Sequence, residues 1–254
     1  MQYRWGQQVL EWRKWNGNET VMDAGCGSGL LTRLLAQKVP RGRIYAVDVD
    51  SNMIKQARGN LEDLANVELV ESNINDVKLP TKLDLIFSNA VLHWVHDHIQ
   101  VFQHFWNMLN CDGDMRGQLL IQRGGYGNLR RVYALIRRVM KLNEFRMFFT
   151  EMNRPWYFAK PDDTTHLLKE IGYTNRRVSL HNDCVSLTNR KIYARFVKTV
   201  IMKPFLERLP NDEIRNRFLE LFLHEVENRS NNNMGSQTIW SLDYVRLNII
   251  ADKP

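Results

Sequence analysis

The chain has 254 residues, 44% of them apolar, and a formal net charge of +7. That suits a globular protein with a sizeable core, built as one large domain or as a domain with a cap. No long apolar run occurs, and Arg4, Glu11, Arg13 and Lys14 crowd the N-terminus, so neither a signal peptide nor a membrane span is expected. The positive charge admits anionic partners, either nucleic acid or an acidic small molecule. Cys26, Cys111 and Cys184 lie too far apart for a metal pattern or a disulfide framework, which points to a reducing, cytoplasmic setting.

In chain order, Trp5, Val9 and Trp12 recur at helical spacing, predicting a helix over 2–15 that Asn16-Gly17-Asn18 ends. A short apolar strand, Thr20-Val21-Met22, meets Asp23 and three glycines at alternate positions, Gly25, Gly27 and Gly29. Leu30, Leu31, Leu34 and Leu35 then fall on one side of a helix. A strand that breaks into glycines and resumes as a helix is a nucleotide-binding βα unit. Its glycines let a ligand approach bare main chain, and the helix start offers free N–H groups and a positive dipole end.

Arg43 to Asp48 reads as a buried strand ending in an acid, 25 residues after Asp23. An acid there can accept both hydroxyls of a ribose, while Asp50 or Ser51 is free to cap the next helix. Val67 to Glu71 is a third strand and Lys82 to Asn89 a fourth, running into Ala90-Val91-Leu92-His93-Trp94-Val95. Ile99, Phe102, Phe105, Trp106 and Leu109 make an amphipathic helix. Asn110-Cys111-Asp112-Gly113 is a turn, and Gln118 to Gln122 a fifth strand.

Beyond Gln122 the chain turns helical. Leu129, Val132, Tyr133, Ile136, Val139 and Met140 form a stripe beside Arg130, Arg131, Arg137, Arg138 and Lys141. Residues 162–171 read as a helix, 173–186 as strand six, and 189–229 as helices broken at Pro204 and Pro210. Asn231-Asn232-Asn233 reads as a loop, and 238–250 as a final strand in which Trp240, Leu242 and Tyr244 alternate with polar residues. The fold class is therefore α/β: a Rossmann-like, doubly wound, mostly parallel seven-stranded sheet, with a helical cap over the C-terminal strand ends. A single domain over 1–254 is expected, with a core at 16–122, 172–187 and 236–252 and cap insertions at about 123–171 and 188–235.

The segments VMDAGCGSGLLT, AVDVDSNMI and LIFSNAVLHWV together resemble class I S-adenosylmethionine (AdoMet) methyltransferases. The D-x-G-x-G-x-G spacing is similar to their motif I rather than to a G-x-G-x-x-G pyrophosphate loop. Within that superfamily the chain looks most like the group of trans-aconitate, juvenile hormone acid and malonyl-carrier-protein methyltransferases. Leu92-His93-Trp94 and Gln2 are closest to the juvenile hormone acid enzymes. A tyrosine-bearing segment precedes the equivalent glutamine in those enzymes; its lack here reads as a shortened or divergent member.

The resemblance implies AdoMet as cofactor and S-adenosyl-L-homocysteine as product. It implies a cofactor site of Asp23, Gly25, Cys26, Gly27, Gly29, Asp48, Val49, Met53, Asn73, Ile74, Ser88, Asn89 and Leu92. Asn73 takes the place of an acid that holds the adenine amino group, since its carbonyl can accept the same bond.

The reaction would be an SN2 displacement, catalysed by alignment and exclusion of water. His93 is the candidate base or substrate-orienting donor, Trp94 a pocket wall, and Gln2 a substrate or cofactor contact; Gln122 is a further polar candidate. A carboxylate acceptor would need no base, whereas a hydroxyl or carbon acceptor would. The leading reading is methylation of a small, acidic molecule on its carboxylate, with no metal. The alternatives are a nucleic-acid methyltransferase, favoured by charge but lacking N-P-P-Y or D-P-P-Y at the fourth strand, and an AdoMet-binding protein without turnover.

Overall fold

The computed structural model of the protein describes residues 2–111, 116–231 and 240–254. Asp112 and Gly113 of the expected turn, Asn232 and Asn233, and the start of the expected last strand lie outside the described residues. No described helix is long and apolar enough to cross a membrane.

Seven strands form one sheet in the order β3-β2-β1-β4-β5-β7-β6. They are β1 (Thr20–Ala24), β2 (Arg43–Asp48), β3 (Val67–Glu71), β4 (Leu85–Asn89), β5 (Gln118–Gly124), β6 (Thr174–Ser186) and β7 (Ser241–Asp252). The first five run parallel, and β7 is antiparallel to β5. The helices are α1 (Gln2–Leu10), α2 (Leu30–Lys38), α3 (Ser51–Asn60), α4 (His98–Met108), α5 (Arg130–Met140), α6 (Pro161–Ile171), α7 (Arg190–Phe196), α8 (Lys203–Leu206) and α9 (Asp212–Asn231).

The sheet alternates its apolar residues between two faces, as a pleated strand must. On one face Val21, Ile44, Leu85, Phe87 and Leu120 pack with Val9 and Leu10 of α1 and Leu35 of α2. On the other, Met22, Ile86, Leu119, Ile121 and Ile249 pack with Phe102 and Phe105 of α4 and Leu168 of α6.

Two expected boundaries move. The first helix stops at Leu10, whose carbonyl accepts the Trp15 indole N–H at 2.9 Å, and Trp12 is left 42% exposed. The fourth strand starts at Leu85; ahead of it Leu83 bridges to Leu109, and the buried Asp84 carboxylate accepts from Thr20 N and Asn110 Nδ2.

The chain divides into two compact units. One comprises Met1–Tyr126, Trp156–His181 and Arg246–Pro254, and holds the parallel sheet. The other comprises Gly127–Pro155 and Asn182–Val245. The first expected insertion does not stay together, since Trp156 to Ile171 belongs to the sheet unit. There α6 ends at Gly172 in left-handed backbone (φ 116°), and the next residue, Tyr173, donates its hydroxyl to Phe102 O. In the second unit Val132, Ile136 and Val139 of α5 are buried while Arg130, Arg131, Arg137 and Arg138 stay exposed, with Arg138 paired to Glu225 of α9. The arginines are thus the solvated face of an amphipathic helix. Phe145 meets Phe218 edge-on at 5.0 Å within the same unit.

Leu168 is fully buried in the sheet-face cluster. Leu168→Ala is expected to destabilise the protein by about 2–5 kcal/mol, read from the urea midpoint. A loss below about 1 kcal/mol would contradict the packing of α6 on the sheet.

Candidate active site

The order of strands reverses between β1 and β4, which makes their C-terminal ends the switch point of the sheet. Two adjoining cavities of about 520 and 300 Å³ lie there, within the range of small-ligand sites. Gly25, Asp48, Val49, Val91 and Trp94 line both, so the two form one crevice.

The glycine turn is built by hydrogen bonds from its backbone. Gly25 N and Cys26 N both donate to Val47 O, at 2.8 and 2.9 Å. Gly27 N donates to Asp48 Oδ2 at 2.8 Å, and Asp50 N donates to Asp48 Oδ1 at 3.0 Å. Asp50 caps α3 through Asn52 N and Met53 N, leaving Asp48 to the glycine loop. Gly25 needs to be glycine twice over: its φ is 83°, and a Cβ there would overlap Val91. A Cβ at Gly27 would meet no atom within 4 Å.

Asp23 is almost fully buried beneath this turn, and its carboxylate accepts the Thr32 hydroxyl at 2.7 Å. Burial lifts its pKa to about 7, against the pull of the Thr32 bond, and nearby Asp48 lifts it further. Burial also pushes the Cys26 thiol up, with Asp23 and Asp48 adding to it, so Cys26 stays protonated and unreactive.

Of the cofactor residues expected from the sequence, Asp23, Gly25, Cys26, Gly27, Met53 and Asn89 line the larger cavity. Asn73 and Ile74 line the smaller one, and Asp48 and Val49 line both. Three lie elsewhere. Gly29 is filled in by Leu61, and a Cβ there would sit 2.6 Å from its Cδ1. Ser88 points to the opposite sheet face from Asn89 and donates to Ala24 O at 2.7 Å. Leu92 is fully buried in the α4-side core.

Gln2 and Trp94 line the crevice; Gln2 also accepts Asn89 Nδ2 on its backbone oxygen at 3.3 Å. His93 lines neither cavity. Its ring lies 5.5 Å from Trp94 and 5.9 Å from Phe158, and Gly124 N donates to its Nδ1 at 3.4 Å. Neutral His93 therefore carries its proton on Nε2. Burial, and then the neighbouring Arg123 guanidinium, lower its pKa to about 3. Arg123 is itself fully buried, held by His98 and by the Tyr157 carbonyl.

Sequence reasoning missed Ala90 and Val91, both at the crevice wall. Ala90 adopts left-handed backbone (φ 61°) while its N–H donates to Gln122 O, a strained corner at the β4 tip that no residue pattern announces.

The crevice fits AdoMet in three respects: its volume, the open space over Gly27, and the buried, unpaired Asn75 Oδ1 beside the smaller cavity, an acceptor for an amino group such as adenine's.

Gly25→Ala is expected to cost roughly 1–3 kcal/mol, and more than Gly27→Ala, in urea unfolding. Equal effects would mean that Val91 yields. Because His93 resists protonation in the fold, its contribution to stability is complete above pH ~6.5 and is lost as pH falls from there towards about 3. Melting curves between pH 7 and pH 4 are therefore expected to fall less steeply for His93→Gln than for the native chain.

Residues 21–113 match the family described as "Methyltransferase domain". Trans-aconitate 2-methyltransferase from Escherichia coli strain K12 is 41% identical over 101 residues, which is 40% of this chain and 39% of the relative; a Shigella flexneri homologue matches equally. The match thus spans about two fifths of the curated relatives' length. Among solved structures, the YcgJ protein from Bacillus subtilis superposes with a TM-score of 0.66 at 12% identity, covering 99% of this chain and 98% of that one. Haemonchus contortus phosphoethanolamine N-methyltransferase 2, solved with S-adenosylhomocysteine, superposes with a TM-score of 0.59 at 16% identity, covering 99% of this chain and 53% of that one. Over residues 21–113 this protein is thus similar to a methyltransferase domain, and its mostly parallel seven-stranded sheet shares the fold of those solved structures.

Proposed function

We propose that this protein methylates the carboxylate of a small organic acid, with AdoMet as methyl donor. The Asp48 carboxylate carries the reading. It stands at the β2 tip, on the wall common to both cavities, and is braced by two backbone amides. When bound, AdoMet supplies a methyl group made electrophilic by its sulfonium. Asp48 would hold the ribose hydroxyls with its remaining lone pairs. Val49, Asn73 and Ile74 would border the adenine, while Asp23, the Gly25–Gly27 turn, Met53 and Asn89 would border the methionine end.

Gln2 and Trp94 face the acceptor, and Trp94 helps exclude water from it. His93 lines neither cavity, and burial beside Arg123 holds its ring neutral, so it is given no role as a base here. A carboxylate acceptor is already ionised and needs none. The name of the trans-aconitate relatives and the net charge of +7 both support an acidic acceptor. The three widely spaced cysteines, Cys26, Cys111 and Cys184, suit a reducing, cytoplasmic compartment.

Calorimetric titration with AdoMet is expected to show binding that weakens roughly 10- to 100-fold in Asp48→Ala, as loss of a charge-assisted contact implies. A panel of carboxylic acids should then yield base-labile methyl esters. Absence of AdoMet binding by the native chain would overturn the proposal.

A further inference from the structure

The α1-facing side of the sheet changes character over its last residues. Along most of β4, β5 and β7 it presents Leu85, Phe87, Leu120 and Ile250, packed with α1. Two residues further toward the active-site end of each strand stand three amides, Asn89, Gln122 and Asn248. Asn89 pairs with Gln122 in the sheet register, and Gln122 with Asn248. Strands sit ~4.8 Å apart, so the amides form one row about 10 Å long on one face.

All three are at least nine-tenths buried, at 9%, 2% and 8% exposure. Each has a buried carbonyl oxygen with no hydrogen-bond partner: Asn89 Oδ1, Gln122 Oε1 and Asn248 Oδ1. The amino groups of the first two are turned to backbone oxygens, Asn89 Nδ2 to Gln2 O and Gln122 Nε2 to Arg123 O. On the same face, the Arg246 guanidinium stacks on Trp5 of α1 at 4.9 Å.

Proteins pair nearly all their buried polar groups, and each unpaired acceptor is costly. Apolar residues would continue the core here without that cost. Three adjacent orphans, one of them on the wall of the larger cavity, amount to a surface made to receive donors.

We infer that this row is the specificity site for the methyl acceptor, and that it reads an O–H or N–H donor carried by the acid. The inference rests on the carboxylic-acid reading above and adds the class: hydroxy or amino acids. An unsubstituted alkyl acid would leave the row unpaired. Gln122, between the other two, is its centre.

The test uses the full chain with AdoMet and straight-chain acids of four to eight carbons in matched forms: unsubstituted, 3-hydroxy, 3-amino and 3-methoxy. The 3-hydroxy or 3-amino form is expected to exceed the unsubstituted and methoxy forms by about 10- to 100-fold in kcat/KM. In Gln122→Met, and separately in Asn248→Leu, that ratio should fall to within about threefold of one. AdoMet titration of each variant establishes that it is folded, and the second variant serves if the first does not fold. Equal rates across the matched forms would overturn the inference alone, leaving solvent to serve the oxygens. So would a donor preference that survives both substitutions. If AdoMet binds and no acid is esterified, the carboxylic-acid reading itself fails, and this inference with it.

Discussion

The Asp48 carboxylate and the carbonyl before it join two pieces of chain that would otherwise be independent. Val47 O takes the amides of Gly25 and Cys26, and Asp48 takes those of Gly27 and Asp50. The turn after β1 is thereby held to the tip of β2. A turn with three residues in left-handed backbone has little stability of its own, since glycine gives up the most freedom on ordering. Bonds from amides to a carboxylate are worth roughly twice neutral ones and offset part of that cost. The crevice exists because this tie keeps the turn open on its outer side, over Gly27, and closed on its inner side, against Val91.

Burial then divides the work of two acids in one crevice. Asp23 lies under the turn, where desolvation leaves its carboxyl near a pKa of 7, with the Thr32 hydroxyl fixing its orientation. Asp48 is only partly buried and has two amides addressed to it. The inner acid therefore responds to a positive charge brought close to it, while the outer one serves as a fixed acceptor. The His93 imidazole is governed by the same burial with the opposite consequence: the neutral form is the one retained.

Strand positions were legible where the residues themselves change character. Arg43–Asp48 and Val67–Glu71 begin and end where the apolar pattern does. The glycine turn, and Asp48 as the acid distinct from the helix cap Asp50, could likewise be read from spacing. What could not be read depends on direction rather than on type. Ser88 and Asn89 are adjacent polar residues at one strand tip, but a pleat sends them to opposite faces, so only Asn89 reaches the crevice. Helical spacing suggested Trp12 for the α1 stripe, but nothing in it revealed that the Trp15 indole closes the helix at Leu10. The left-handed Ala90 is held by its bond to Gln122 O on the neighbouring strand, a tertiary cause with no local signal. Burial of Trp156 to Ile171 with the sheet is of the same kind: Leu168 reads as an ordinary amphipathic residue, whatever surface covers it.

The switch point explains why one half of the crevice was readable and the other was not. On the β1–β2–β3 side the ligand surface is a turn, an acid and a strand tip, each constrained by backbone geometry to a few residue types. On the β4–β5–β7 side Asn89 lines the larger cavity, with Gln122 and Asn248 beside it in register on an otherwise regular sheet, where the backbone tolerates anything that packs. Geometry therefore enforces motifs on the first side and leaves the second free to vary with the acceptor. On that second side the informative signal is energetic. Asn89, Gln122 and Asn248 occupy positions where apolar residues would continue the core, and their oxygens are without partners. Such a row costs stability until something donates to it, and the methyl acceptor is the donor inferred above.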